Sequence, residues 1–222
     1  MLFKQTSVYN ILNAVLGARN PMQSQARSDS KFKGMTYYDD NGRIENTIIG
    51  EKDMALLQSL VKSGSEHRKF MRQIFVSVVI TAPLYWWKEF DTYKVGTVEN
   101  STSTMHKLAS TPITLDCFEM NDFEGDLPMI NCNKLWSAFL DYLEALRLNY
   151  LETKDKRYWK ELIRLLPESW LQTRTVTMNY ENVRNMVQQR RNHKLTEWSE
   201  RFIGWAKTLP YAQELIFYTE ER

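Results

Sequence analysis

Two periodicities divide the chain. Between Ile74 and Ala82 nearly every step is apolar, with Ile74, Val76, Val78 and Ile80 set against Phe75 and Val79. β-Branched residues dominate this run, which predicts a buried central strand. Pro83 ends it and can open a short helix through Trp86, Trp87 and Phe90. From Leu135 onward apolar positions recur at helical spacing, predicting helices over 135–151, 158–166, 182–191 and 196–207. Earlier in the chain, 54–61 is amphipathic, with Leu56, Leu57, Leu60 and Val61 on one side and Gly64 as its stop. Residues 8–16 predict a short helix, and the polar stretch 20–33 predicts a loop. Asn41-Gly42 signals a hairpin turn with a positive-φ pair. The small polar stretch 96–105 should turn over a ligand or another subunit, and 118–131 should form an acidic loop. Neither repeats nor a linker interrupt the pattern. Strands early and helices late give an α+β class in a single domain over 1–222.

One helix breaks its own pattern. After Asn179, in capping position, Val183, Met186 and Val187 fall at i, i+3 and i+4, and the next residue on that stripe is Arg190. A guanidinium on the packed side of a helix is costly unless an anion or a carboxylate meets it. Two readings follow: Arg190 meets a ligand, or it pairs with a carboxylate such as Glu161 or Glu197.

Composition narrows the classes. The chain of 222 residues is 43% hydrophobic and carries seven Trp and eleven Tyr, enough for a sizeable core. Its net charge of +2 does not suit a general nucleic-acid binder. The basic excess at Arg184, Arg190, Arg191, His193 and Lys194 lies on one helix and its exit, which suits a small anion better than a polymer. Cys117 and Cys132 are too few for a metal site and read as reduced thiols. No apolar run reaches the ~20 residues of a bilayer span and no secretory signal is visible, so a cytoplasmic protein is expected.

The search for chemistry leaves few protein nucleophiles. There is no G-x-S-x-G, P-loop or G-x-G-x-x-G motif, and no clustered metal ligands. What remains are Asn, Ser, Arg, Lys and aromatic groups suited to a phosphorylated, ring-bearing ligand, with any hard chemistry left to a cofactor.

Order and spacing then resemble a known family. Leu165-Leu166-Pro167, a strand-like stretch, Asn179, Asn185 six residues on and Arg190 five further resemble the C-terminal part of the flavin-dependent thymidylate synthases. Upstream, Ala82-Pro83 ends a strand, a short helix follows, and Asn100 and Ser103 match an Asn-x-x-Ser spacing in the signature region. The resemblance covers roughly 50–210 and is that of a divergent, phage-type member.

It implies a central mixed sheet flanked by helices, with a mainly helical C-terminal half. It also implies a homotetramer with pockets between subunits. The implied reaction is reductive methylation of deoxyuridine monophosphate, with FAD, NADPH as reductant and methylenetetrahydrofolate as one-carbon donor. Arg190 would hold and polarise the pyrimidine. Asn100, Ser103 and Lys88 would hold the nucleotide, and Asn179, Asn185, Lys94 and His67 would contact the cofactor. The signature departs from the family at its cations. The Arg-His-Arg triplet appears as Thr92-Tyr93-Lys94 or a one-residue shift of it, and the last Arg becomes Met105, which donates no hydrogen bond. A catalytically inactive nucleotide-binding member is therefore the alternative, with FAD weakly held or lost. Each residue also has a plainer reading. Asn179 could only cap its helix, and Asn185 could be a solvated helix residue. Lys88 and Lys94 could snorkel on the surface, and His67 and His106 could form a structural pair.

Overall fold

The computed structural model describes residues 1–120 and 131–218, so most of the expected acidic loop, 121–130, lies outside the described residues. In chain order the strands are β1 (Leu2–Tyr9), β2 (Lys31–Tyr37), β3 (Arg43–Ile48), β4 (Phe75–Pro83), β5 (Val98–Ser101) and β6 (Leu171–Asn179). They form one mixed sheet ordered β2-β3-β1-β4-β6-β5, with β1 and β3 parallel and β2 and β3 antiparallel. The central strand expected from Ile74–Ala82 is β4. Its alternate residues Val76, Val78, Ile80 and Ala82 are fully buried, while Ser77 and Val79 are half-buried. The fold class is α+β, with helices α1 (Ile11–Ala18), α2 (Glu51–Lys62), α3 (Leu84–Phe90), α4 (Thr104–Lys107), α5 (Cys132–Thr153), α6 (Lys156–Arg164), α7 (Tyr180–Arg190) and α8 (Ile203–Ala206).

Several expectations shift. Residues 8–16 are not one helix: Val8 and Tyr9 close β1, Asn10 takes a left-handed φ of 71°, and only then does α1 begin. Asn10 makes no side-chain cap of its own. Glu45 supplies the cap instead, its carboxylate accepting from the backbone N–H of Asn10, of Ile11 at 3.1 Å and of Leu12 at 2.8 Å. The polar stretch 20–33 is a loop of two short 3₁₀ turns only as far as Ser30, because Lys31 already belongs to β2. The hairpin is present, but Asn41 alone has positive φ (68°) and the loop closes from Tyr38 N–H to Gly42 C=O at 2.9 Å. The helix expected over 196–207 is a π-helix, Glu197–Phe202, followed by α8.

The chain gathers into two compact units. The first comprises Met1–Ile80, Asp91–Asn100 and Thr175–Arg222, and the second Thr81–Phe90 and Ser101–Arg174. In the first, Val8, Ile11, Leu57, Val61, Val76, Val183 and Met186 are buried. Its loop 19–30 is organised by the buried Asp53, which accepts from Arg19 Nε, from the Ser28 hydroxyl at 2.6 Å and from Ser30 N–H at 3.1 Å. Asp29 in turn accepts from the α2 backbone at Lys52 (2.9 Å) and Asp53 (3.1 Å). In the second unit Leu108, Phe118, Leu143, Leu146 and Leu162 pack together, and Trp86, Trp87 and Phe90 are buried. Arg174 lies 4.2 Å from the centre of the Trp87 ring. Among the described residues no helix is long and apolar enough to cross a membrane.

Candidate functional site

Strand β6 delivers Asn179 to the start of α7, where a reciprocal cap forms: Asn182 N–H donates to Asn179 Oδ1 at 3.0 Å, and Asn179 N–H donates to Asn182 Oδ1 at 3.2 Å. The Asn182 amide also donates to the Val95 carbonyl at 2.6 Å, tying the 93–97 turn to the helix. Gly96 makes that approach possible. Its φ is +81°, and a Cβ there would stand 2.9 Å from Asn182 Oδ1 and 3.1 Å from Asn179 Nδ2.

The turn holds Tyr93 against the far end of the same helix. Tyr93 donates its hydroxyl hydrogen to Gln189 Oε1 at 3.0 Å and accepts from Arg190 Nε at 2.8 Å. The Arg190 guanidinium carbon lies 5.6 Å from the Tyr93 ring centre and 5.1 Å from that of Trp198, which the π-helix presents. The two rings meet at 6.1 Å and 62°. A half-buried cation is thus held between two aromatic groups, with a hydrogen bond from its Nε to the Tyr93 hydroxyl helping to set its plane. The apolar stripe that precedes it packs as the spacing requires, with Val183, Met186 and Val187 buried.

The rest of the basic excess divides. Arg184 is buried and donates to the carbonyls of Leu215 (3.1 Å), Ile216 (2.8 Å) and Tyr218 (2.8 Å), so it secures the C-terminal segment. Burial pushes its guanidinium below the usual value, Arg68 adds to that, and Glu181 opposes it. Arg68 is itself engaged, its Nε lying 2.8 Å from Glu181. Arg191 and Lys194 are exposed.

The other residues singled out from the sequence are dispersed. Lys94 is exposed in the 93–97 turn, Asn185 is half-buried on α7, and Asn100 is exposed on β5. The second unit carries Lys88, an exposed residue paired with Glu168, and Ser103, which caps α4 by accepting from His106 N–H at 3.1 Å. His67 is exposed on the wall of a cavity of about 680 Å³ that Leu56, Leu60 and Phe70 also line. Tyr93 and Trp198 were not singled out as ligands of Arg190. Only Tyr93's place in the altered triplet hints at a role: its contact closes over 97 positions, and that of Trp198 depends on the turn between α7 and the π-helix.

No family profile and no curated protein matches this sequence. Solved structures do match it. A flavin-dependent thymidylate synthase from Helicobacter pylori, complexed with FAD and dUMP, aligns over 98% of this chain and 98% of its own, with a TM-score of 0.65 and 17% identity. A second structure of thymidylate synthase X from that organism, also with FAD and dUMP, gives a TM-score of 0.69 and 16% identity over 98% of this chain and 97% of its own. The likeness is one of fold.

Proposed function

We propose that this chain binds a pyrimidine nucleotide of the dUMP class, with Arg190 as its principal contact. The observation that carries the reading is the aromatic clamp on Arg190 in a fold shared, end to end, with structures that hold FAD and dUMP. A guanidinium held in a fixed plane is suited to pyrimidine carbonyls or a phosphate, because its forked donors match such acceptors. In the enzyme reading Arg190 would also polarise the ring, with Asn100, Ser103 and Lys88 holding the nucleotide.

The residues present do not fit tight flavin binding. The Asn179 amide oxygen is committed to the α7 cap, and the Asn182 amide is taken by the Val95 carbonyl. Tyr93 stands in the middle of the family's cationic triplet and engages Arg190. Lys94, Asn185 and His67 remain as candidate flavin contacts. The nucleotide-binding reading therefore ranks first. Reductive methylation with FAD, NADPH and methylenetetrahydrofolate is the second reading, supported by the retained order of Asn100, Ser103, Asn179, Asn185 and Arg190.

The proposal extends to a homotetramer in the cytoplasm. Leu135 and Tyr142, one heptad apart on α5, are 63% and 50% exposed and share one side of the helix, which suits contact with a second copy. Light scattering that returns the mass of a single 26.3 kDa chain at micromolar concentration would remove this part.

The deciding experiment is a visible spectrum of the purified protein, followed by separate titrations with dUMP and FAD. The expected result is a colourless protein with saturable dUMP binding. Stoichiometric FAD carried through purification would promote the enzyme reading. Absence of dUMP binding up to millimolar concentration would refute the proposal.

A further inference from the structure

Helix α2 leaves part of its apolar side uncovered. Leu57 and Val61 are buried in the first unit, whereas Leu56 and Leu60 are only half-buried. Lys52, Leu56 and Leu60 fall at i, i+4 and i+8, so they form one row along the helix. Two cavities adjoin along this row and share Ala18, Met22 and Leu56 as lining. One, of about 590 Å³, carries Lys52 and Arg27. The other, of about 680 Å³, carries Leu60, Phe70 and His67. One end of the groove is therefore cationic, and the other combines apolar residues with Glu66, His67 and Lys69 on its wall.

The cations are available. Among the described residues neither Lys52 nor Arg27 forms an ion pair, while the neighbouring Arg19 is committed to Asp53. The nearby carboxylates are engaged as well: Asp53 accepts from Arg19, Ser28 and Ser30, and Asp29 accepts from the α2 backbone. At the Leu60 and Phe70 end Glu66 and Lys69 share the wall and offset each other's charge, so the excess of cations lies at the Arg27 and Lys52 end and favours one direction for a bound amphipath. Met22, 83% exposed on the rim between the two cavities, gives a flexible apolar contact.

The geometry points to a second binding site, for a soluble organic phosphate carrying an apolar body. Its phosphate lies between Arg27 and Lys52, and its apolar body lies over Leu56 and Leu60. From Lys52 to Leu60 the helix rises ~12 Å, which sets the spacing between head and tail. None of the Tyr93, Arg190 and Trp198 cluster lines this groove, so the site stands whether or not a nucleotide binds at α7.

The test uses the full chain and octyl phosphate below its aggregation threshold, followed by calorimetry or ligand-observed NMR. Inorganic phosphate and octanol serve as half-ligands, and phosphatidic acid vesicles as a membrane arm. Octyl phosphate should bind at least about tenfold more tightly than either half-ligand, since both ends of the groove contribute. A double Arg27→Ala, Lys52→Ala variant should weaken octyl phosphate about tenfold or more and leave octanol unchanged. Leu60→Asp, at a half-buried position, should remove the advantage of the tail while inorganic phosphate binding persists. Circular dichroism and melting of each variant check that the fold is retained. Equal affinity for inorganic and octyl phosphate, indifference to the double variant, or binding to vesicles in preference to free octyl phosphate would each overturn the assignment.

Discussion

Replacing Arg190 by Met separates the two meanings of this cation. Met keeps an apolar stem against Tyr93 and Trp198 but loses the charge. The structure assigns Arg190 two ring contacts, at 5.6 and 5.1 Å, and one hydrogen bond of 2.8 Å to the Tyr93 hydroxyl. Partly exposed cation–π contacts contribute ~0.5–1 kcal/mol each. A hydrogen bond from a charged donor contributes ~1.5–3 kcal/mol, with the low end expected for a half-buried group. Packing of the Met side chain offsets part of this, so the expected destabilisation is about 1–3 kcal/mol. For a chain of this length that lowers Tm by roughly 2–4 °C per kcal/mol, readable by calorimetry or tryptophan fluorescence. The same substitution should weaken dUMP by about ten- to a hundredfold, the worth of one charge-assisted contact. If a buried carboxylate such as Glu197 is the main partner of Arg190, the substitution leaves that carboxylate unpaired at ~3–5 kcal/mol. A melting drop of that larger size together with unchanged dUMP affinity would refute the reasoning.

Removing the remote cap on α1 by Glu45→Ala should cost about 2–3 kcal/mol in urea unfolding, since it strips an acceptor from several N-terminal N–H groups; a loss under ~0.5 kcal/mol would show that water replaces it. Burial alone would raise the Asp53 carboxyl, but Ser28, Ser30 and Arg19 outweigh it and hold the group below the ordinary carboxylate value. With the folded value depressed, its stabilisation is complete above the unfolded value of ~3.9 and is lost as pH falls through the lower folded value. Asp53→Asn should therefore flatten the acid limb of stability against pH, and an unchanged limb would reject this assignment. Gly96→Ala should cost about 1–2 kcal/mol from its positive φ, plus the displacement of Asn182; hydrogen exchange localised to the start of α7 would check it, and unaltered exchange would contradict the coupling of turn and helix.

Patterns carried by neighbouring residues were readable in the sequence. The α7 stripe and its Asn179 cap, the β-branched run of β4 and the amphipathic face of α2 each declare themselves within a few turns or strand steps. Features closed by distant residues were not. The Glu45 cap depends on two strands lying side by side, and β1 alternates too weakly to stand apart from the helix that follows it. The clamp on Arg190 draws on Tyr93, nearly a hundred positions away. No local signal says that Leu56 and Leu60 stay uncovered while Leu57 and Val61 do not, because the helical period places all four on one side. The helix expected over 196–207 is present, but its π form was not legible for a different reason: an apolar pattern does not reveal an extra residue in a turn.

That extra residue has a consequence for how the segment tolerates changes in length. In a π-helix the backbone pairs i with i+5, so removing one residue from 197–202 would restore ordinary α-helical pairing rather than break the helix. Phase would change little. Trp198 faces Arg190 at one end, while at the other Trp205 stacks on Phe3 at 5.0 Å and donates its indole N–H to the Thr6 hydroxyl at 3.0 Å. The wide π turn already absorbs its extra residue, so a deletion that restores α pairing would leave these two rings in nearly their present relation. Residues 197–202 are therefore a place where this helix can lose one residue while its Arg190-facing and strand-facing sides keep their angle.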